Sequence, residues 1–266
     1  MPVAKLGFLE SELRAKRDAG KKLLVPYITG GLDGWLDAIR AAAANGADAI
    51  EIGIPFSDPV MDGPIIQLAS QKALDAGATP MSILNDLRQV DVSIPLAVMC
   101  YYNTIHNAGH ERFANALAEA GVCAAIVPDL PLEESGPWCK AADAAGIETV
   151  MLAAPTAPDE RLPRILERVR GFVYAVGLLG VTGERDELAS TALLLARRLK
   201  QLTSIPILIG VGVSNAEQAA EAVSVADGVV QGASVMRRLL EGGPDAVGEY
   251  VAEVRAAIDR APIARG

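Results

Sequence analysis

Short runs of apolar, β-prone residues recur along the chain at Leu23–Thr29, Ala49–Ile54, Pro95–Tyr102, Ala124–Val127, Thr149–Ala153, Phe172–Val176, Pro206–Ile209 and Gly228–Val230. Each gives way to a turn and then to a stretch whose Ala, Leu and charged residues fall at helical spacing, as over Trp35–Ala44, Glu111–Ala120 and Glu217–Val223. The helical stretches stop at Asn45-Gly46, Ala120-Gly121, Ala145-Gly146 and Gly171, where glycine accepts the backbone conformation that ends a helix. The strand runs are continuously apolar and do not alternate, which is the pattern of a parallel sheet buried on both faces. Eight such βα units predict an α/β fold of the (β/α)8 TIM-barrel type, and the spacing over Leu9–Ala19 adds an N-terminal helix before the first strand. An open doubly wound sheet is the alternative, with fewer strands and an exposed edge. No linker or shift of composition divides the pattern, so residues 1–266 read as one barrel domain. In that architecture chemistry belongs at the C-terminal ends of the strands.

Composition narrows the partners. The chain has 266 residues, 51% hydrophobic and 21% charged, too apolar for a disordered protein. Its net charge of -9, with no Lys/Arg cluster, argues against nucleic acid and against an anionic membrane. A small phosphorylated ligand stays open, because N–H groups at a helix N-terminus bind phosphate without a cation. Cys100, Cys123 and Cys139 are odd in number and lack CxxC spacing, which reads as reduced thiols and a cytoplasmic location. The first twenty residues have no signal-peptide apolar core, and no run reaches membrane-spanning length.

The second βα junction carries the strongest chemical signal, Ile50-Glu51-Ile52-Gly53-Ile54-Pro55 followed by Phe56-Ser57-Asp58-Pro59-Val60-Met61-Asp62-Gly63-Pro64. A carboxylate inside an apolar strand shifts toward its protonated form or finds a partner, so Glu51 is the first candidate for proton transfer. Asp62 has a plainer reading as the N-cap of the helix starting near Pro64; its place beside Glu51 makes it the second catalytic candidate. Glycines at Gly210-Val211-Gly212-Val213-Ser214, at Gly232-Ala233-Ser234 and at Gly180-Val181-Thr182-Gly183 fall on three consecutive junctions. Ser214 and Ser234 each precede a helix in this reading, and the clusters together suggest a phosphate site. His106 and His110 lack further metal-ligating neighbours and read as residues of a solvated loop, so no metal site is expected. Lys5, Lys16, Lys21, Lys22, Lys72, Lys140 and Lys200 all fall in helices or at edges, which disfavours imine chemistry on a strand lysine. Cofactor-free acid/base catalysis is the expectation.

The run Glu51 to Pro59, continued by Met61-Asp62-Gly63-Pro64-Ile65-Ile66-Gln67, resembles the signature of the tryptophan synthase α-subunit family. Val25-Pro26-Tyr27-Ile28-Thr29, Pro128-Asp129-Leu130-Pro131 with Glu133-Glu134-Ser135, and the glycine motifs extend the likeness in the same order over nearly the whole chain. The resemblance implies retro-aldol cleavage of indole-3-glycerol phosphate to indole and glyceraldehyde 3-phosphate in tryptophan biosynthesis. It implies Glu51 as the acid/base and Asp62 as acceptor for the indole N–H. It assigns Tyr27, Tyr101 and Tyr174, taken as strand positions, to the indole pocket, and Gly183, Gly212, Gly232 and Ala233 to the phosphate. Thr182 is the residue that would meet Asp62 under a closing lid. The family further implies a β partner in an α2β2 assembly, with pyridoxal phosphate held only by β, and Asp58 and Pro59 near the interface.

The chain departs from the family pattern at Gly177-Leu178-Leu179, where an Arg is found in some members, at the order Gly232-Ala233-Ser234, and at Val211 in place of an aromatic. These departures bear on affinity and lid control more than on the reaction. Two other readings remain at this point: a phosphosugar isomerase on the same barrel, and a mainly regulatory subunit that activates a β partner.

Overall fold

The computed structural model describes residues 6–177, 190–210 and 212–261. Eight parallel strands close in chain order into a (β/α)8 barrel: β1 (Leu23–Thr29), β2 (Ile50–Gly53), β3 (Leu96–Met99), β4 (Ala124–Ile126), β5 (Glu148–Ala153), β6 (Val173–Ala175), β7 (Ile207–Ile209) and β8 (Gly228–Gln231). The ring is completed by β8 against β1, with Pro26 opposite Gln231. On the other side of β1, Tyr27 stands opposite Glu51. Every residue of β1, β2, β3, β4, β7 and β8 is buried, which accounts for the unbroken apolar runs.

The helices are α1 (Phe8–Asp18), α2 (Trp35–Ala44), α3 (Pro64–Asp75), α4 (Pro80–Leu87), α5 (Tyr102–Ala108), α6 (His110–Glu119), α7 (Gly136–Ala145), α8 (Arg161–Arg168), α9 (Ser190–Leu202), α10 (Ala216–Val223) and α11 (Ala233–Arg260). The last is broken at Gly243, whose φ of 73° is left-handed and is followed by Pro244, so it consists of two arms. No helix among the described residues is long and apolar enough to cross a membrane.

The N-terminal helix is held to the floor of the barrel by buried carboxylates. Glu148, at the start of β5, accepts from the Leu9 and Glu10 N–H groups at 2.7 and 2.9 Å and so caps α1 from a distant part of the chain. Glu10 in turn accepts from Gly171 N–H at 3.2 Å and pairs with Arg14. Asp48 accepts from Leu24 N–H at 2.9 Å and pairs with Lys16 and Arg255. Asp227 accepts from Ile207 N–H at 2.9 Å and pairs with Lys200. Each floor carboxylate therefore has a donor that offsets its desolvation.

Local corrections to the sequence reading concern element ends. The first helix runs from Phe8 to Asp18, with Ala19 as its C-cap. The third strand run is shorter than expected: Tyr101 is the N-cap residue of α5 and no strand position, while Asp129 Oδ1 accepts from Tyr102 N–H at 2.8 Å. His106 lies within α5 and His110 opens α6, and neither is on a loop. Both rings pack on Tyr102 with centroids 5.8 Å away, and the Tyr102 hydroxyl lies 2.9 Å from His110 Nε2. Ser214 is one residue short of a capping position, since Asn215 caps α10 and accepts from Gln218 N–H.

Glu148→Ala leaves two N–H groups of α1 without an acceptor in a buried setting. The expected loss is about 1 to 3 kcal/mol of unfolding free energy in urea denaturation; a change below roughly 0.5 kcal/mol would mean that the floor does not depend on this cap.

Candidate active site

The continuous apolar strand β2 delivers Glu51 into the barrel mouth, where the side chain is 3% exposed. Asp62 arrives from the loop beyond and is equally buried at 3%. The capping role does not hold for Asp62: the N-cap of α3 is Gly63, with no side-chain cap, and Pro64 supplies the first turn. The Asp62 main-chain carbonyl accepts from Gln67 Nε2 at 2.7 Å, which fixes the entry of the chain into α3 and leaves the carboxyl to point elsewhere.

Both carboxyls face one narrow cavity of about 50 Å³, lined by Tyr27, Glu51, Asp62, Ile66, Met99, Tyr174, Gly210, Gly212, Val213, Gly232 and Ala233. Among the described residues Glu51 Oε2 and Asp62 Oδ1 have no hydrogen-bond partner though both are buried, in contrast to the paired carboxylates of the floor. Among the described lining residues there is no Lys or Arg. Burial, reinforced by the Asp62 charge, pushes the Glu51 carboxyl up to about 8. Burial also raises Asp62, but only to about 6, because the Tyr101 hydroxyl opposes the shift. At neutral pH the pair is thus divided into a protonated Glu51 and an ionised Asp62, one proton donor beside one anion.

Seven of the residues singled out in the sequence meet at this cavity: Glu51, Asp62, Tyr27, Tyr174, Gly212, Gly232 and Ala233. Tyr101 does not line it. Its ring is 2% exposed, stacked on Phe56 at 5.1 Å, and its hydroxyl accepts from Met61 N–H at 3.0 Å next to Asp62. Thr182 and Gly183, together with Leu178 and Val211, lie outside the described residues.

Ile66, Met99 and Val213 belong to the wall and were not singled out in the sequence. Met99 is the last residue of β3 and pairs with Gly53, so the strand-end rule was the signal available for it. Gly53 and Gly210 have a reason that their sequence context hides. A Cβ on Gly53 would sit 1.9 Å from the Tyr27 hydroxyl, and one on Gly210 would sit 2.0 Å from the Tyr174 ring. These glycines make room for the two aromatic walls. Gly212 adopts a φ of 89°, the left-handed turn that brings backbone to the cavity. Gly232 precedes α11 and offers no side-chain cap, so the first N–H groups of that helix are available beside the cavity.

A closed (β/α)8 barrel with a buried carboxylate pair at its C-terminal mouth defines the class as a barrel enzyme equipped for acid/base chemistry. Comparison with known proteins narrows it further. The sequence model of the family described as tryptophan synthase alpha chain matches residues 13–260. The tryptophan synthase alpha chain of Thermobifida fusca is 43% identical over 263 residues, covering 94% of this chain and 97% of that protein. The Streptomyces coelicolor counterpart is 42% identical, with 90% of each chain covered. Among solved structures, a tryptophan synthase from Mycobacterium tuberculosis superposes with a TM-score of 0.89 at 33% identity, covering 96% of this chain and 99% of that one. The Legionella pneumophila alpha chain gives 0.84 at 30% identity, covering 96% and 98%. The chain belongs to the tryptophan synthase alpha chain family. It is accordingly a lyase of tryptophan biosynthesis acting on indole-3-glycerol phosphate.

The raised Glu51 carboxyl has a sign for stability. The folded chain holds this proton more tightly than the unfolded chain, whose carboxyl titrates near 4.5. The resulting stabilisation is whole below that value and is lost as pH rises toward about 8. In urea titrations the parent is expected to lose stability relative to Glu51→Gln between pH 5 and 8. A difference that stays flat over that interval would contradict the buried, unpaired state of Glu51.

Proposed function

We propose that Glu51 and Asp62 carry the retro-aldol cleavage of indole-3-glycerol phosphate, the first moving protons and the second holding charge. What supports this reading is the division of two buried carboxyls in one cavity into an acid and an anion. Protonated Glu51 gives its proton to the indole carbon that bears the glycerol chain. The ring then carries positive charge at its nitrogen, and ionised Asp62 accepts a hydrogen bond from that N–H and stabilises it. The bond between the ring and the side chain breaks, its electron pair returns to the ring, and the adjacent hydroxyl gives up its proton as the aldehyde forms. Glu51 receives that proton and is restored, so protons balance over the cycle.

Tyr27 and Tyr174 form the aromatic walls for the indole, kept in place by the missing side chains of Gly53 and Gly210. The phosphate rests on Gly212 and on the N-terminus of α11 at Gly232 and Ala233, where N–H groups and the helix dipole favour an anion without a basic side chain. Tyr101 serves the indole site indirectly by facing Asp62. Thr182 and Gly183 keep the parts the resemblance gives them, closing over Asp62 and contacting the phosphate. The reaction calls on no cofactor of its own, and the whole chain, residues 1–266, acts as one barrel domain.

The family name also supports a β partner, in an α2β2 assembly of the cytoplasm in which the β chain holds pyridoxal phosphate. The loop between β2 and α3 is suited to meet it: Asp58 is exposed, Pro59 is half-buried and Val60 is 68% exposed. This loop leads directly into Asp62, so contact there would bear on the catalytic carboxylate. Addition of the cognate β chain is expected to raise indole output, and Asp58→Ala to blunt that gain; an output indifferent to β would remove the coupling.

The direct test is release of indole from indole-3-glycerol phosphate. Glu51→Gln is expected to lower the rate by about 10² to 10⁴, and Asp62→Asn to lower kcat with a smaller effect on KM. A Glu51→Gln variant as active as the parent would refute the assignment.

A further inference from the structure

The second arm of α11 carries a tyrosine that does not line the cavity yet holds the loop after β7. Tyr250 is 3% exposed, and its hydroxyl donates to the Ser214 carbonyl, in the loop after β7, at 3.3 Å. The Ser214 N–H is donated to Gln218 Oε1 of α10 at 2.7 Å. On its other side the Tyr250 hydroxyl faces the side chains of Gln231, which ends β8, and Ser234, which lies in the first turn of α11. Ser234 is fully buried and directly follows Ala233 of the cavity wall. The Arg238 guanidinium carbon lies 4.7 Å from the Tyr250 ring centroid and closes the stack from outside.

We propose that Tyr250 is a positioning residue for phosphate recognition: from the second arm of α11 it holds the loop after β7 against the helix that the loop after β8 opens, and so sets the spacing of the backbone groups that receive the anion. The inference rests on the reading of Gly212, Gly232 and Ala233 as the phosphate site. A peptide plane held by its carbonyl has its N–H directed to the opposite side, so the Ser214 contact fixes the orientation of the next N–H in the loop. A backbone cradle has no long cationic side chain to adapt to a displaced ligand; its selectivity depends on where the loops are held. Burial raises the Tyr250 hydroxyl above its ordinary range, so it remains a neutral donor at working pH.

An ordinary core tyrosine would look similar in burial, so the test must separate the phosphate end of the ligand from the indole end. In Tyr250→Phe the ring packing stays and only the hydroxyl is lost. Binding of glycerol 3-phosphate and KM for indole-3-glycerol phosphate are expected to weaken by about 3- to 10-fold, the effect of one hydrogen bond. Binding of indole and kcat are expected to stay within about twofold of the parent by the same reasoning. Unchanged binding of glycerol 3-phosphate would overturn the proposal, as would an equal loss of indole binding and kcat, which general loosening produces. Ala233→Asp, measured alongside, places a negative charge in the first turn of α11. If that variant binds glycerol 3-phosphate as the parent does, the phosphate reading fails and this inference with it. If it weakens binding while Tyr250→Phe does not, the inference alone fails.

Discussion

The constraint on which the site depends is the burial of Glu51 in the barrel mouth with no cation among the described lining residues. A carboxyl removed from water must find a donor or keep its proton. The second course follows here, because burial and the charge of Asp62 both oppose ionisation of Glu51. The surrounding wall is built to maintain that condition. Ile66, Met99 and Val213 supply apolar surface, the two tyrosines fill the sides, and glycines let backbone approach where a side chain would block the cavity.

The opposite end of the barrel shows what the same residue types do when partners are provided. Asp48, Glu148 and Asp227 are each 5% exposed, comparable to the mouth pair. Each accepts from a backbone N–H at the entrance of a strand or helix, and Asp48 and Asp227 also meet basic side chains. Those carboxylates stitch α1 and the strand entrances together. Burial alone therefore does not mark a candidate for proton transfer; the burial of Glu51 without a donor among the described residues does. The division also resolves the acidic character of the chain: a good part of its buried acid is structural and sits far from the anion end of the cavity.

Much of this was legible in the sequence, for reasons that differ by residue. The eight strands could be read because a parallel barrel buries both faces and writes each strand as an unbroken apolar run, into which Glu51 stands out. Asp62 was ambiguous, since an Asp before Gly-Pro is also what a helix cap looks like; only the position of Gly63 at the cap removed that reading. Tyr101 was taken for a strand residue because the apolar run continues past Met99, whereas the ladder ends there and Asp129 captures the next helix start. The floor carboxylates and the Tyr250 bridge were not legible at all. Their partners are far apart in the chain, 139 positions between Leu9 and Glu148 and 36 between Ser214 and Tyr250, and no local pattern records such pairings. Gly53 and Gly210 were visible as glycines, but their purpose depends on rings from other parts of the barrel.

Fold and family make the chain a lyase, and the acid proposed for it, Glu51, keeps its proton because of what its pocket lacks. The most direct measurement of that claim is a carbon-13 NMR titration of the Glu51 side-chain carboxyl in the ligand-free chain, assigned by comparison with Glu51→Gln. The account predicts a midpoint near 8 that falls when Asp62 is replaced by Asn, because the neighbouring negative charge is removed. A midpoint in the ordinary carboxylate range near 4.5, unmoved by Asp62→Asn, would contradict it.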